Sequence, residues 1–146
     1  MHVLFLDANV LFSAAYMAES RLREFWTLPD VELVTSAYAW EEAYRNLPRL
    51  EQQKRLMALG PGVRMVQEGG AWALPADVIL PEKDRPILSA ALLSGATHLI
   101  TGDATHFGVW YGKRIGGVLV LKPAAYLQSL QQAERPAESE STGQPA

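Results

Sequence analysis

Asp7, Glu42, Asp84 and Asp103 are the residues whose types and positions suit hydrolytic chemistry. Asp7 ends the apolar run Val3-Leu4-Phe5-Leu6, and Asp103 follows His98-Leu99-Ile100-Thr101 after one glycine. Both acids fall at the carboxyl ends of segments that read as buried strands. Each also has an ordinary explanation: Asp7 as the cap of a helix beginning near Asn9, Asp103 as the acid of a Gly-Asp turn. Glu42 lies in TSAYAWEEAYRNL, where Ala39, Ala43 and Leu47 recur at helical spacing and Glu41-Glu42 interrupt the pattern. Glu41 stands four residues before Arg45, a solvated pairing that stabilises a helix by about 0.2–0.5 kcal/mol. That leaves Glu42 as the inward acid. Asp84 directly precedes Arg85-Pro86 and the stripe Ile87-Leu88-Ala91-Leu92. Proline suits the first turn of a helix, and negative charge there is favourable in itself. Glu82 shares that explanation but sits earlier, in a looser segment, so Asp84 is the stronger candidate.

The ordinary explanations work singly and strain together. Four converging carboxylates would repel one another, raise their pKa values and destabilise the fold unless a cation neutralised them. An all-oxygen site suits Mg²⁺ or Mn²⁺, and such ions serve phosphodiester hydrolysis. His106, three residues beyond Asp103, is set outside this group because oxygen-rich Mg²⁺ sites seldom recruit imidazole.

The elements that must position these acids alternate along the chain. Strands are expected at His2–Leu6, Val31–Thr35, Val63–Val66, His98–Thr101 and Val118–Leu121. Helices are expected at Asn9–Leu28, Ala37–Leu47, Arg49–Leu59, Glu82–Ser94 and Pro123–Gln132, with Gly60-Pro61-Gly62 and Gly95 as stops. Such alternation predicts βαβ units and a mostly parallel sheet with helices on both faces. VLFL, HLIT and VLVL are apolar throughout, as strands buried from two sides should be. In open sheets of this class function collects at the carboxyl ends of the strands.

The bulk properties narrow the partners. With 146 residues, 49% of them hydrophobic, the chain has the content of one globular domain. That domain is expected over residues 1–132, followed by a disordered acidic tail over 133–146 whose Pro, Ser and Glu cannot offset their ordering entropy. There is no cysteine, which excludes disulfides, thiolate ligands and a cysteine nucleophile. The net charge is -3, and the tail accounts for most of it. Binding of nucleic acid by a broadly basic surface is therefore not expected, and any contact must be local or metal-assisted. Arg45, Arg49, Lys54, Lys83, Arg85, Lys113 and Arg114 are the candidates for a local phosphate track. The start MHVLFL lacks the features of a signal peptide, and no segment approaches about 18 apolar residues. A cytoplasmic protein without a membrane span is expected.

FLDANVLFSA, the Ser36…Glu42 helix ending in Arg45 and Leu47, LPEKDRPILSAALLSGATHLITGD and the following HF together resemble the PIN-domain nucleases, many of which are VapC-type toxins. The resemblance spans roughly residues 1 to 127 in the expected order. It implies a three-layer α/β/α sandwich around a mostly parallel sheet of about five strands, order 3-2-1-4-5. It also implies that Asp7, Glu42, Asp84 and Asp103 ligate Mg²⁺ or Mn²⁺, with Asn9 and Thr101 in support. The activity implied is metal-dependent endoribonuclease cleavage leaving 5′-phosphate and 3′-hydroxyl ends, with Glu42 orienting the water or completing a second metal shell. Toxins of this kind are typically homodimers, neutralised by an antitoxin peptide laid across the active site. The alternative within the same fold is a noncatalytic module that binds RNA or protein.

Rival α/β hydrolases fit less well. A haloacid-dehalogenase phosphatase needs an acid two residues after the first, where this chain has Asn9. A response-regulator receiver needs an Asp after its third strand, where the chain offers Gln67 and Glu68. Neither phosphate-binding glycine motif, G-x-G-x-x-G or G-x-x-x-x-G-K-[ST], is present.

Overall fold

A computed structural model describes residues 1–67 and 74–134. Strand β1 (His2–Leu6) forms where the sequence is most uniformly apolar, and Leu4, Phe5 and Leu6 are fully buried. Burial of side chains of this size stabilises by about 1.5–3 kcal/mol each, which favours a central place for this strand. It lies between β2 (Val31–Ser36) and β4 (His98–Ile100), parallel to both, with Phe5 level with Val34 on one side and Leu99 on the other. Beyond β2 is β3 (Val63–Val66), also parallel. Beyond β4 is β6 (Val118–Leu121), parallel, and then the antiparallel β5 (Arg114–Ile115). The sheet order is therefore 3-2-1-4-6-5, within a three-layer α/β/α sandwich.

The five strands expected from the sequence take the order 3-2-1-4-5 among themselves, as the resemblance implies. The sixth is an addition. Gly116 and Gly117, at φ 56° and 88°, form the two-residue turn between β5 and β6, and positive φ at both positions is what such hairpins require.

The helices are α1 (Ala8–Tyr16), α2 (Ala37–Asn46), α3 (Leu50–Leu59), α4 (Arg85–Leu93), α5 (Ala104–Phe107) and α6 (Pro123–Glu134). The long helix expected over 9–28 is instead α1 followed by a 3₁₀ segment, Arg21–Thr27. Two distant side chains on α3 satisfy the last carbonyls of α1: Arg55 donates to Ala15 and Tyr16, and Gln52 donates to Tyr16. Ser20 then caps the 3₁₀ segment through the Leu22 amide. The expected Glu82–Ser94 helix likewise divides into a 3₁₀ turn, Glu82–Asp84, and α4. Helix α6 runs through Glu134, past the boundary expected at 132. The rest of the expected tail, residues 135–146, and Glu68 lie outside the described residues. No helix among the described residues is long and apolar enough to cross a membrane.

The connectivity matters for function. From β1 the chain moves outward through β2 to β3, then returns to place β4 on the other side of β1. The strand order reverses between β1 and β4, and the crevice outside their carboxyl ends is where open parallel sheets bind ligands. Asp7 leaves β1 there, and Asp103 follows β4 by three residues.

Candidate metal centre

Asp7 is held from several sides and is only 4% exposed. Its Oδ1 accepts from the Ala8 amide at 2.6 Å, and its Oδ2 accepts from the Thr101 hydroxyl at 2.8 Å and from Asn9 Nδ2 at 3.2 Å. The helix-cap explanation and a role at the crevice hold together, because one carboxylate oxygen serves each. Burial raises the Asp7 pKa from 3.8 to about 6, against the lowering effect of the Thr101 and Ala8 bonds, and the charges of Asp84 and Glu42 push it further in the same direction. Those neighbours place three acids within electrostatic reach.

Asn9 and Thr101 tie the two strand ends together. Asn9 Oδ1 accepts from the Gly102 amide at 2.7 Å, while its Nδ2 also reaches Thr101 Oγ1 at 3.3 Å. Thr101 Oγ1 accepts from the Asp103 amide at 3.1 Å. Gly102 permits this approach, since a Cβ there would lie 3.2 Å from Asn9 Oδ1. Tyr111 donates its hydroxyl to the Thr101 carbonyl at 2.8 Å. Burial and then the nearby charges of Asp103 and Asp7 raise the pKa of that hydroxyl.

Asp103 caps α5, its Oδ1 accepting from the His106 amide at 3.1 Å. The Gly-Asp turn reading is thereby satisfied, and Oδ2 is left for other partners. That oxygen lies 2.8 Å from His106 Nδ1, and Asp84 Oδ2 lies 2.7 Å from the same nitrogen. Both are ion-pair contacts when the imidazole is protonated, although neither has straight hydrogen-bond geometry and both Asp84 Oδ2 and His106 Nδ1 are buried. Burial raises the Asp84 pKa, His106 opposes it, and the charge of Asp103 adds to it.

Glu42 lies at the half-buried edge of α2, whereas Glu41 is exposed, the division expected from helical spacing. Ser36 caps this helix through the Ala39 amide, and Ala39 and Ala43 are buried on the stripe beside Glu42. Glu42 opens onto a recess of about 300 Å³ shared with Ala8, Asn9, Phe12, Ala43 and Asn46. Tyr38, one turn earlier, donates to the Lys83 carbonyl at 2.9 Å and so ties α2 to the turn that carries Asp84. Burial and the charges of Glu42, Asp84 and Asp7 all raise the pKa of the Tyr38 hydroxyl.

Among the described residues, the tightest group of potential metal donors is Asp84, Asp103 and His106, whose ligand atoms lie within 4.8 Å of one another. Asp7 and Glu42 flank that group and stand outside it. The residues fit a divalent cation: a buried carboxylate oxygen without a hydrogen bond is costly unless something positive meets it. The expected set thus gathers unevenly, with two acids converging and two at the margin. His106, set aside on sequence grounds, faces both convergent acids, and its position three residues after Asp103 on a helical turn was the available signal. Tyr38 and Tyr111 were legible only as aromatics, since their backbone partners are distant in sequence.

No family model matches the chain, and no curated protein matches it. Among solved structures, it is similar to the crystal structure of Mycobacterium tuberculosis VapC20, a toxin that cleaves the sarcin–ricin loop. Identity is 16%, the match covers 70% of this chain and 92% of that one, and the TM-score is 0.49.

Proposed function

We propose that this chain is a divalent-metal-dependent endoribonuclease of PIN type. The observation that carries the proposal is the gathering of the Asp84 and Asp103 carboxylates about His106 beside the β1/β4 reversal, with ligand atoms within 4.8 Å of one another and Asp84 Oδ2 buried. Asp84 and Asp103 hold a Mg²⁺ or Mn²⁺ ion, Asp7 supplies a third carboxylate, and Glu42 closes the site from α2. When bound, the ion polarises a phosphoryl oxygen and makes water a usable nucleophile at neutral pH.

The remaining work falls to the protein. Glu42, at the rim of the recess, accepts a hydrogen bond from the attacking water and aligns it opposite the P–O3′ bond, so that 5′-phosphate and 3′-hydroxyl ends result. Thr101 and Asn9 keep the Asp7 carboxylate fixed through the bonds described above, and such preorganisation avoids rearrangement during the reaction. Lys83 and Arg85 flank Asp84 in sequence and offer the phosphate backbone a local positive charge, which the net charge of the whole chain does not. The recess beside Glu42, with Phe12 and Asn46 on its walls, offers the adjacent nucleotide an apolar face and an amide. The resemblance further implies a role as the toxin of an antitoxin-controlled pair, acting as a homodimer.

The test is cleavage of a mixed pool of labelled single-stranded and structured RNAs by the full chain with Mn²⁺, with excess chelator, and as Asp84→Asn with Mn²⁺. Cleavage by the wild type with metal alone supports the proposal. RNA binding that persists in chelator with no cleavage under any condition favours the noncatalytic module. Equal cleavage by the variant refutes the site.

A further inference from the structure

Two carboxylate oxygens and an imidazole nitrogen meet in the crevice: Asp84 Oδ2, Asp103 Oδ2 and His106 Nδ1. The nitrogen is 2.7 Å from the first and 2.8 Å from the second. At this spacing a protonated imidazole pairs with both carboxylates, although neither contact has straight hydrogen-bond geometry, and a metal ion bound by such donors displaces a proton. Asp84 is 8% exposed, so water does not relieve it. Adjacent donors on a six-coordinate ion with bonds of about 2.1 Å lie roughly 3 Å apart, close to the separations observed.

The fold also presets the imidazole. Its backbone amide is bonded to Asp103 Oδ1, and the next residue, Phe107, is fully buried and anchors the short helix α5 in the core. The ring is therefore held with Nδ1 toward the two carboxylates.

We infer that His106 Nδ1 is a direct donor to the cation beside Asp84 and Asp103, so that the site selects a first-row transition ion such as Mn²⁺ over Mg²⁺. This rests on the cation site proposed above and deepens it. The chemistry follows from donor softness: imidazole nitrogen binds first-row transition ions well, whereas Mg²⁺ prefers oxygen and retained water.

Mn²⁺ binding to the full chain, followed by electron paramagnetic resonance with spin-echo modulation, tests the inference without reference to activity. The wild type should bind Mn²⁺ and show the ¹⁴N modulation of a directly bound imidazole. His106→Gln should lose that modulation and weaken Mn²⁺ binding by about tenfold or more, the scale of losses seen when groups around a metal are removed. Its Mg²⁺ affinity, measured by competition, should change far less. Bound Mn²⁺ without ¹⁴N modulation in the wild type overturns the role of His106 and leaves the cation site standing. Failure of the wild type to bind Mn²⁺ or Mg²⁺ overturns both. The wild-type spectrum decides the point even if the variant does not fold.

Discussion

Replacing Asp7 by asparagine should make the protein more stable at pH 8 in excess chelator, although it removes a residue of the proposed site. The Asp7 pKa lies at about 6 in the fold against 3.8 ordinarily, chiefly because the group is buried. The folded state therefore holds the Asp7 proton more tightly than the unfolded chain does. Below pH 3.8 the group is protonated in both states and costs nothing, and the penalty grows through the interval to about 6 and is complete above it. A shift of roughly 2 units corresponds to about 3 kcal/mol. Asparagine escapes that cost but turns a donor toward both Thr101 and Asn9, which had donated to the carboxylate, a loss of about 2 kcal/mol. The net gain of about 1 kcal/mol corresponds to a Tm rise of roughly 2–4 °C for a chain of this size.

Thermal melts followed by circular dichroism at pH 8, 6 and 4 provide the assay. The advantage of Asp7→Asn should be largest at pH 8 and vanish or reverse by pH 4. Mn²⁺ should restore the wild type, which gains about 2.7 kcal/mol at a hundred times its Kd, while the variant gains little. A variant that melts below the wild type in chelator at pH 8, by a margin independent of pH, would refute the reasoning.

Three other substitutions probe the supports. Gly102→Ala puts a methyl 3.2 Å from Asn9 Oδ1, and should reduce RNA cleavage several-fold while lowering stability by less than about 1 kcal/mol. Tyr111→Phe removes the bond to the Thr101 carbonyl and should cost about 1 kcal/mol in urea unfolding; an unchanged midpoint would show that water replaces the hydroxyl. His98, packed against His2 and Tyr126 at the opposite end of the strands, has its pKa lowered to about 4 by burial and by the nearby His2 and Arg114. Stability from this group is present above pH 6.5 and is lost as pH falls toward 4, so His98→Gln should flatten the acid limb of the pH–stability profile measured by urea titration. Asp7 acts with the opposite sign over much of the same range, and the two variants separate the contributions.

Much of this architecture was legible because its causes are local. The runs VLFL and VLVL became β1 and β6 at the expected boundaries, since a strand apolar on both sides has no stable alternative to a central or covered place in a sheet, and VRMV, with Arg64 and Met65 exposed, became the edge strand β3. The choice of Glu42 over Glu41 followed from helical spacing and agrees with their exposures. The end of α1 was not legible. Nothing near Tyr16 breaks a helix, and the groups that terminate it, Gln52 and Arg55, arrive from α3. The His106 contacts were hidden for a similar reason, because α5 is one turn long and its direction is set by the Asp103 cap and the burial of Phe107. The β5–β6 hairpin did carry a local signal, Gly116-Gly117, which the strand assignment left unused.

That hairpin bears on how the molecule meets its own kind. Without it, Val118-Leu119-Val120-Leu121 would end the sheet as a bare apolar edge, the sort of strip to which a strand of another molecule adds. The chain supplies the missing partner itself: the Gly112 amide donates to the Val120 carbonyl, and the Val120 amide donates to the Lys113 carbonyl. The new border is short and carries the charges of Lys113 and Arg114, both exposed. A second chain meets the two-residue edge of β5 in place of the four-residue edge of β6, so the parallel core is shielded from edge-to-edge aggregation on that side.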